Sequence, residues 1–417
     1  MIKQIAIKHK TRIVDGVIDL PASKSITNRV MIISELAKEK VFISGIAEAH
    51  DSVNLSANLS VIRKNTGSPQ VITIDVGAAG TNMRFLTSFL AVADGEFIIT
   101  GTKRMLCRPI APLVDALKKL GAEISYEKEI GFPPLRIKGK KLYGGSVEID
   151  SSISSQFISS LMMIGSKLSK GLTIVLKGNA VSKSYIKMTA RLMKQFGVDV
   201  NIVADRIIIP KGKYFYKGNF VVEKDWSAAS YWFAIAALAG KSHILLKNLK
   251  PDSIQGDAVL PELYSRLGVT SVATSKGLLL TKTQGFVLPD SFLYNFTDCP
   301  DIAQTLIATV AGMKLKGLFS GLKTLRIKET DRISAMIKEL SKMNVICSFS
   351  DDSIAIQPSV LNVKSAVNTY HDHRMAMCLA PLALKADVLH INNPDVVIKS
   401  YPAFWDDLKK IGFNLLS

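Results

Sequence analysis

Residues 328–332 read Lys-Glu-Thr-Asp-Arg and place four charges of both signs in five positions. Apolar residues follow at i, i+3, i+4 and i+7 spacing: Ile333, Met336, Ile337 and Leu340. This spacing predicts a helix, on which Lys328, Glu329 and Arg332 would share one stripe at about 100° per residue. The free N–H groups and the dipole of a helix start attract anions. Two cations at that start would form an anion-binding site, with the Glu329 carboxylate beside it.

The same five residues also fit an exposed patch of ion pairs. Pairs at i, i+3 and i, i+4 spacing are common on solvated helices and contribute little stability. The pentapeptide alone leaves both interpretations open, and the surface patch is the commoner of the two. For Asp331, a structural ion pair or a helix-start role is the better hypothesis.

Small, hydroxylic and basic residues recur at predicted helix starts in the first half of the chain. Lys24, Ser25 and Arg29 follow a predicted strand that ends at Leu20. Three further clusters have the same character: Gly77-Ala-Ala-Gly80-Thr81, Ser154-Ser155-Gln156, and Ser182 with Tyr185. Backbone N–H groups, hydroxyls and an amide at such positions suit a phosphate. An ordinary helix start fits the Lys24–Arg29 segment about equally well, and a capping loop is the alternative for the serine clusters. For the loop at Gly77–Gly80, an ordinary tight strand-to-helix turn is the better interpretation.

The remaining candidate residues are basic or acidic side chains in short motifs. The basic ones are Arg108, Arg374 and Lys399. Asp301 precedes an apolar helix predicted over 302–311, and it is either the N-cap of that helix or a base that faces a ligand. The His371-Asp-His373 triplet could suggest a metal. However, neighbouring strand residues alternate between faces and rarely converge on one ion, so we expect no metal site there.

Composition limits the class of partner. The net charge of +18 favours nucleic acid, anionic lipid, or small molecules that carry phosphate and carboxylate groups. Aromatic residues make up only 7% and no nucleic-acid-binding motif occurs, so nucleic-acid binding is a minority alternative. The four cysteines are scattered without a CxxC pair, which indicates a reducing cytoplasm rather than a disulfide frame or structural zinc. No apolar run is long enough to span a membrane, and the first residues resemble a strand rather than a signal peptide.

One pattern recurs along the chain: an amphipathic helix, a turn at glycine or asparagine, and a short strand. The turn residues are Gly121, Gly197, Gly268, Asn344 and Gly412, with a weaker copy near residues 59–63. Glycine or asparagine at this place indicates a residue with positive φ just after the helix. Copies about 70 residues apart predict six α/β units in two domains of about three units each.

These motifs occur in the order found in the 5-enolpyruvylshikimate-3-phosphate synthase family, which the chain resembles over nearly its whole length. The matching motifs are Ser23-Lys24-Ser25, Ala79-Gly80-Thr81, Arg108-Pro109, Ser154-Ser155-Gln156, Pro300-Asp301, Lys328-Glu-Thr-Asp-Arg332, Asp372-His-Arg374 and Lys399. KETDR and DHRMAM together are highly specific. The resemblance implies transfer of the enolpyruvyl group of phosphoenolpyruvate to the 5-hydroxyl of shikimate 3-phosphate, with release of phosphate, in the shikimate pathway to aromatic amino acids.

The resemblance also implies the α/β enolpyruvyl transferase fold, with six βαβαββ units arranged three per domain. Residues 1–20 plus 225–417 would form a discontinuous domain with Asp301, KETDR, DHR and Lys399. Residues 21–224 would form an inserted domain with Lys24, Gly80, Arg108 and Ser154–Gln156. Neither a metal nor an organic cofactor is implied. The expected partners are the two small-molecule substrates, without nucleic acid or membrane, and the expected state is a cytoplasmic monomer.

Carried over motif by motif, the resemblance implies two sets of binding residues. Those for shikimate 3-phosphate are Lys24, Ser25, Arg29, Ser154, Ser155, Gln156, Ser182, Tyr185, Asp301 and Lys328. Those for phosphoenolpyruvate are Lys24, Gly80, Arg108, Gln156, Arg332, Arg374 and Lys399. Asp301 would orient and deprotonate the attacking hydroxyl. Either Glu329 or Lys24 would protonate the methylene carbon of phosphoenolpyruvate.

The sequence departs from the family pattern at several positions. Ala78 replaces a frequent Asn and Phe85 a frequent Pro beside the phosphoenolpyruvate loop, which leaves sensitivity to glyphosate open. Thr324 and His371 each replace a usual Asn. Cys107 resembles a reactive cysteine of the sister enzyme, UDP-N-acetylglucosamine enolpyruvyl transferase. That sister lacks KETDR and DHR, so we interpret Cys107 as incidental. The sister activity is the first rival hypothesis.

Overall fold

A computed structural model describes residues 3–178 and 181–416 of the chain. Contacts between Cα atoms divide the chain into two compact units. We call Ser23–Val222 the inserted unit, and we call the residues up to Ala22 together with those from Glu223 onward the split unit. The sequence-based assignment of functional domains to 1–20 plus 225–417 and to 21–224 stays a prediction.

In its described residues, the split unit contains three β-sheets and a set of helices. Its strands are Gln4–Lys8, Ile13–Ile18, Lys241–Lys247, Val269–Thr274, Gly277–Lys282, Ser291–Asn295, Lys316–Ser320, Cys347–Phe349, Ile354–Ile356, Leu389–Asn392 and Asn414–Leu416. Its α-helices are Trp226–Leu238, Leu260–Ser265, Ala303–Gly312, Arg332–Lys342, His373–Leu379 and Phe404–Lys410. Its 3-10 helices are Gly256–Val259, Pro300–Ile302, Lys323–Ile327, Ala380–Lys385 and Pro394–Lys399.

Three sheets also occur in the part of the inserted unit that the structure describes. Its strands are Phe42–Ser44, Val71–Asp75, Gly95–Thr100, Glu123–Tyr126, Leu135–Gly139, Gly145–Asp150, Leu172–Lys177, Asn201–Val203, Arg206–Ile209 and Asn219–Val221. Its helices are Lys24–Leu36, His50–Asn65, Gly80–Val92, Lys103–Leu106, Ala111–Lys119, Ser155–Gly165 and Lys183–Gln195.

Four of the sheets share one topology. In each, the first two strands pair in parallel and the second strand pairs with an antiparallel hairpin, as in Val71–Asp75, Gly95–Thr100, Leu135–Gly139 and Glu123–Tyr126. A helix follows each of the first two strands, because a parallel pair needs a crossover connection. This βαβαββ order agrees with the α/β fold predicted from the sequence. In one copy, the sequence of the whole inserted unit comes between the first strand, Ile13–Ile18, and the helix Trp226–Leu238 that follows it.

The repeated helix–turn–strand pattern has the predicted backbone geometry. The five turn residues have φ between 66° and 95°: Gly121, Gly197, Gly268, Asn344 and Gly412. Each follows an apolar residue that lies just beyond the end of a helix, so the positive φ reverses the chain and returns it to the next strand.

Apolar helices form the centre of each unit. In the split unit, Trp226–Leu238 is buried along nearly its whole length, and Ala303–Gly312 packs against it. In the inserted unit, Gly80–Val92 packs against Ser155–Gly165 in the same way. The starts of these helices are therefore held by extensive core packing. Among the residues that the structure describes, no helix combines the length and apolarity required to cross a membrane.

The helix predicted to include Lys328 and Glu329 begins only at the last residue of KETDR. Asp331 is its N-cap and accepts a hydrogen bond from Ser334 N at 3.1 Å, so the helix runs from Arg332 to Lys342. Lys328 and Glu329 lie in the turn that follows the 3-10 helix Lys323–Ile327. The expectation of one helical stripe through Lys328, Glu329 and Arg332 is wrong, because the capping aspartate starts the helix after Lys328 and Glu329.

Gly139 should tolerate no side chain, because the inserted unit brings backbone against it. A Cβ at this position would overlap the Ala93 carbonyl oxygen and lie 2.6 Å from the Leu90 carbonyl oxygen. We expect Gly139→Ala to reduce the free energy of unfolding by about 1–3 kcal/mol, measured by urea denaturation. Gly212→Ala is the matched control, since its nearest neighbour would be Val198 Cγ2 at 3.6 Å. Equal urea midpoints for the two variants would contradict this packing argument.

Candidate active site

Arg332 lies at the centre of a charged cluster in the split unit. The residue is only 2% exposed. Its Nε donates to Asp372 Oδ2 at 2.7 Å, and one terminal nitrogen donates to Asp372 Oδ1 at 3.2 Å and to Glu329 Oε2 at 2.8 Å. Burial alone would lower the pKa of Arg332, but Asp372 and Glu329 more than offset this effect and raise it. The guanidinium is therefore a fixed positive charge.

Asp331 serves the helix rather than the cluster, as the sequence suggested. Besides capping the helix at Ser334 N, it accepts a hydrogen bond from Arg326 at 2.9 Å. Burial tends to raise the pKa of Asp331, but the hydrogen bonds from Ser334 and Arg326 lower it below its ordinary value. Its ionised form thus stabilises the start of the helix that carries Arg332.

Asp301 faces three cations. Its carboxylate lies 3.2 Å from an Arg374 nitrogen, 3.6 Å from an Arg332 nitrogen and 3.8 Å from Lys328 Nζ. It belongs to the 3-10 helix Pro300–Ile302, and the next helix has Ile302 at its N-cap position, without a side-chain cap. Of the two roles considered from the sequence, the N-cap is therefore wrong, and the carboxylate points into the charged cluster.

Lys328 and Lys399 complete the cluster. Burial lowers the pKa of Lys328, while the negative charge of Asp301 acts in the opposite direction. Lys399 Nζ donates to Glu329 Oε1 at 2.8 Å. The Glu329 carboxylate therefore bridges Lys399 and Arg332. It connects the KETDR motif to Lys399, which lies far away in the sequence.

The DHR motif forms a helix start. Asp372 Oδ1 accepts a hydrogen bond from Arg374 N at 2.9 Å, which caps the helix His373–Leu379. The Arg374 side chain donates to the Asp301 carbonyl oxygen at 2.8 Å. The Asp372 carboxylate thus positions both Arg332 and Arg374.

In the inserted unit, Lys24 and Arg29 lie on the helix Lys24–Leu36. Ser23 is at the N-cap position, but its side chain forms no capping hydrogen bond. Lys24 Nζ lies 3.1 Å from Asp51 Oδ2 and is partly buried. Lys24 is thus on the first helical turn, where a cation is electrostatically unfavourable. A carboxylate compensates for it in this structure.

Arg29 is buried among neutral groups. Its nitrogens donate to Thr189 Oγ1 at 2.7 Å, to the Ser25 carbonyl oxygen at 2.9 Å and to Ser159 Oγ at 3.2 Å. Its guanidinium carbon lies 5.6 Å from the centre of the Tyr185 ring. Burial lowers the pKa of Arg29 to about 10. Arg29 thus connects three helices, Lys24–Leu36, Ser155–Gly165 and Lys183–Gln195, and places a positive charge between them.

Gly80 lets an arginine lie across a helix start. The helix Gly80–Val92 begins at this glycine, and a Cβ there would overlap the guanidinium of Arg108. The buried Arg84 donates to the Gly80 carbonyl oxygen and to the Pro109 carbonyl oxygen, each at 3.1 Å. Arg84 therefore fixes the loop that presents Arg108, a contact that the sequence motifs did not indicate.

The predicted serine clusters also lie at helix starts. Ser154 caps the helix Ser155–Gly165 by accepting from Gln156 N at 3.2 Å, and the Gln156 amide donates to Thr81 Oγ1 at 3.2 Å. Ser155 is buried. Ser182 has a φ of 54° and precedes the helix Lys183–Gln195 without a side-chain cap. Gln156 and Thr81 thus connect two of the clusters predicted to hold phosphate.

Sequence reasoning missed Asp257. It is 4% exposed and accepts a short hydrogen bond from Ser227 Oγ at the start of the central helix Trp226–Leu238. Burial, together with the nearby negative charge of Asp301, raises its pKa to about 7. Asp257 lies in a 3-10 helix with no apolar periodicity, so no pattern in the sequence placed it near Asp301.

The departures from the family pattern fall in different environments. Phe85 is buried, with its ring centre 5.2 Å from the Arg29 guanidinium carbon. Thr324 is buried, and its hydroxyl has no hydrogen-bond partner among the described residues. Cys107 is exposed and beside Arg108. His371 is exposed, with a φ of 56°.

The fold and these clusters define a two-unit α/β protein whose helix starts and basic side chains suit small phosphorylated and carboxylated ligands. The fold is similar to that of solved structures of EPSP synthase from Acinetobacter baumannii. One of them gives a TM-score of 0.79 at 20% identity and covers 99% of this chain and 100% of that chain. The predicted enolpyruvyl transferase fold is therefore confirmed.

Sequence comparison identifies the family. Residues 8–408 match the sequence profile of EPSP synthase (3-phosphoshikimate 1-carboxyvinyltransferase). A 3-phosphoshikimate 1-carboxyvinyltransferase of Bacteroides fragilis is 42% identical over 405 residues, which covers 96% of each chain. One of Aliivibrio salmonicida is 34% identical over 425 residues, covering 95% of this chain and 97% of that one. The chain belongs to the EPSP synthase family of transferases, as the motifs predicted.

Asp257 should give the protein a distinct dependence of stability on pH. Its pKa is raised in the folded state, so its contribution to stability is complete below its unfolded pKa and is lost as the pH rises towards about 7. Asp257→Asn removes this loss. We expect the free energy of unfolding of this variant, minus that of the wild type, to increase by about 1–3 kcal/mol between pH 5 and pH 8. Urea denaturation at the two pH values measures this difference.

Asp252→Asn is the control for this experiment, since Asp252 is an exposed carboxylate five residues upstream. Its difference from the wild type should be the same at both pH values. A pH-independent difference for Asp257→Asn would show that Asp257 is already ionised at pH 5.

Proposed function

We propose that this chain transfers the enolpyruvyl group of phosphoenolpyruvate to the 5-hydroxyl of shikimate 3-phosphate and releases phosphate. The observation that carries this proposal is the cluster built from KETDR, DHR, Asp301 and Lys399. In this cluster, the Asp301 carboxylate faces three cations, and the Glu329 carboxylate lies between Arg332 and Lys399. Acid–base groups beside a dense set of cations are what this reaction between two anions requires.

The cations of the split unit suit phosphoenolpyruvate, which carries a phosphate and a carboxylate. We propose that Arg332, Arg374 and Lys399 bind it. Arg332 and Arg374 are oriented by Asp372, and an arginine fork matches the geometry of either anionic group. Within the inserted unit, we assign Lys24, Gly80, Arg108 and Gln156 to the same substrate, because Gly80 and Arg108 form a cationic helix start.

Hydroxyl and amide groups suit shikimate 3-phosphate. In the inserted unit, the proposed ligands are Lys24, Ser25, Arg29, Ser154, Ser155, Gln156, Ser182 and Tyr185. Arg29 is buried between three helices, and its positive charge favours a phosphate bound nearby even without direct contact. In the split unit, Asp301 and Lys328 would interact with the reacting hydroxyl.

The proposed chemistry proceeds by addition and then elimination. A proton adds to the methylene carbon of phosphoenolpyruvate, and the 5-hydroxyl oxygen forms a bond to the adjacent carbon while Asp301 takes the hydroxyl proton. The tetrahedral intermediate then loses phosphate as its carbon–oxygen bond breaks and a proton leaves the methyl group. Glu329 and Lys24 remain the two candidates for the acid that supplies the first proton.

We extend this proposal to the setting in which the enzyme works. Nothing in the scheme uses a metal or an organic cofactor, since the protein's own cations neutralise the substrates. We expect a monomer in the cytoplasm. Four cysteines without a CxxC pair are consistent with a reducing compartment.

Phosphate release tests the proposed function. Purified protein should release phosphate from phosphoenolpyruvate when shikimate 3-phosphate is present, with the same rate after treatment with a chelator. UDP-N-acetylglucosamine as the acceptor should give no release above background. Release with the nucleotide sugar alone would replace this proposal with the sister activity, and release with neither acceptor would refute it.

Asp301→Asn tests the proposed base. The substitution keeps the shape of the side chain but removes its ability to accept the hydroxyl proton, so kcat should fall about 100-fold or more. Shikimate 3-phosphate should still bind, which isothermal titration calorimetry would show. Asp298→Asn is the control, because Asp298 is an exposed carboxylate three residues earlier. Near-normal turnover in Asp301→Asn would show that the base lies elsewhere.

A further inference from the structure

A second cationic site lies in the split unit, at the far ends of the two helices that begin near Asp301. The helix Trp226–Leu238 begins beside Asp257, and Ala303–Gly312 begins beside Asp301. The ends of both helices line a cavity of about 340 Å³. A ten-residue helix is about 15 Å long, so this cavity is separate from the charged cluster around Arg332.

Four cations and no carboxylate line this cavity. The cations are Arg12, Lys282, Lys314 and Lys385. None of them forms an ion pair with any residue that the structure describes. Burial lowers the pKa of Lys385, and the positive charges of Lys282, Arg12 and Lys314 lower it further. The four charges are thus close enough to repel one another.

Of these four cations, Lys282 alone has a side chain that donates to another described residue. Lys282 Nζ donates to the carbonyl oxygens of Ala237 at 2.8 Å and Ala239 at 2.5 Å, at the end of the central helix. Such a contact is a normal use of lysine, because helix ends carry partial negative charge. Within the described part of the chain, the side chains of Arg12, Lys314 and Lys385 donate no hydrogen bond. Their convergence therefore costs electrostatic free energy that no side chain in the described residues offsets.

The rest of the cavity wall is apolar. Leu288, Met313, Val360 and Leu361 complete it. A cavity of this size accommodates a small molecule, and it combines apolar surface with convergent charged groups as ligand sites do. A bare ion would leave much of the apolar wall uncovered.

We propose that this cavity binds a small organic anion with at least two negative charges, carried by phosphate or carboxylate groups, and a short apolar body. The anion would be held by Arg12, Lys314 and Lys385, with Lys282 contributing its charge from the helix end. This is a second ligand site, distinct from the residues assigned to the two substrates.

The experiment compares thermal unfolding of the full-length protein with and without a multivalent anion. Saturating shikimate 3-phosphate is present throughout to occupy the substrate site. Pyrophosphate and citrate serve as the probes, and sodium chloride at the same ionic strength corrects for screening. A ligand that binds only the folded state raises the Tm in proportion to its binding.

Lys314→Gln and Lys385→Gln are the test variants. Lys316→Gln is the matched control, because Lys316 is an exposed lysine two residues from Lys314 that does not line the cavity. The wild type and the control should show the same increase in Tm with at least one probe. Each test variant should bind that probe at least tenfold more weakly, and Lys385→Gln should have a higher Tm than the wild type without any anion.

The pattern of responses identifies the ligand chemistry. A response to pyrophosphate alone supports a phosphate ligand, a response to citrate alone supports a carboxylate ligand, and a response to both supports a general multivalent anion site. The proposal is overturned if neither probe raises the Tm of the wild type, or if the test variants respond as strongly as the control. A lower Tm without anion in both test variants, with unchanged response, would assign the lysines a purely structural role.

Discussion

The buried interaction between Arg332 and Asp372 is the constraint on which the charged cluster of the split unit depends. A guanidinium that is 2% exposed is stable only where carboxylates compensate for its lost hydration. Asp372 does so with two hydrogen bonds, and it also caps the helix that carries Arg374. Glu329 adds a third hydrogen bond to Arg332 and passes the connection on to Lys399. One ion pair thereby positions three of the proposed phosphoenolpyruvate ligands.

The charge balance of this cluster explains its proposed chemistry. Four cations, Lys328, Arg332, Arg374 and Lys399, meet the three carboxylates Asp301, Glu329 and Asp372. The cluster can therefore accept a further anion, while its carboxylates remain close enough to exchange protons with a bound substrate. The inserted unit provides positive charge by another route, because Arg29 is buried between helices and donates to the hydroxyl groups of Thr189 and Ser159. Both arrangements use preorganised positive charge, which costs no rearrangement during the reaction.

The sequence predicted the fold and the members of the cluster more reliably than their local geometry. The glycine and asparagine turns were predictable because a positive φ after a helix restricts the choice of residue. The error in KETDR arose because apolar periodicity locates a helix but not its first residue, which here depends on the hydrogen bond between Asp331 and Ser334. Asp257, and the contacts of Arg29 with Ser159 and Thr189, depend on tertiary packing between distant segments. No local pattern encodes such contacts.

Substitution of Asp372 by asparagine tests the central role of the Arg332–Asp372 pair most directly. The measurement is the KM for phosphoenolpyruvate in the phosphate-release assay, together with the free energy of unfolding in urea. Asp395→Asn is the control, since Asp395 forms an exposed ion pair with Lys3. We predict that Asp372→Asn raises this KM at least tenfold and reduces the free energy of unfolding by about 3 kcal/mol, because a buried cation loses its main partner. A KM and a stability equal to those of the control would contradict this account.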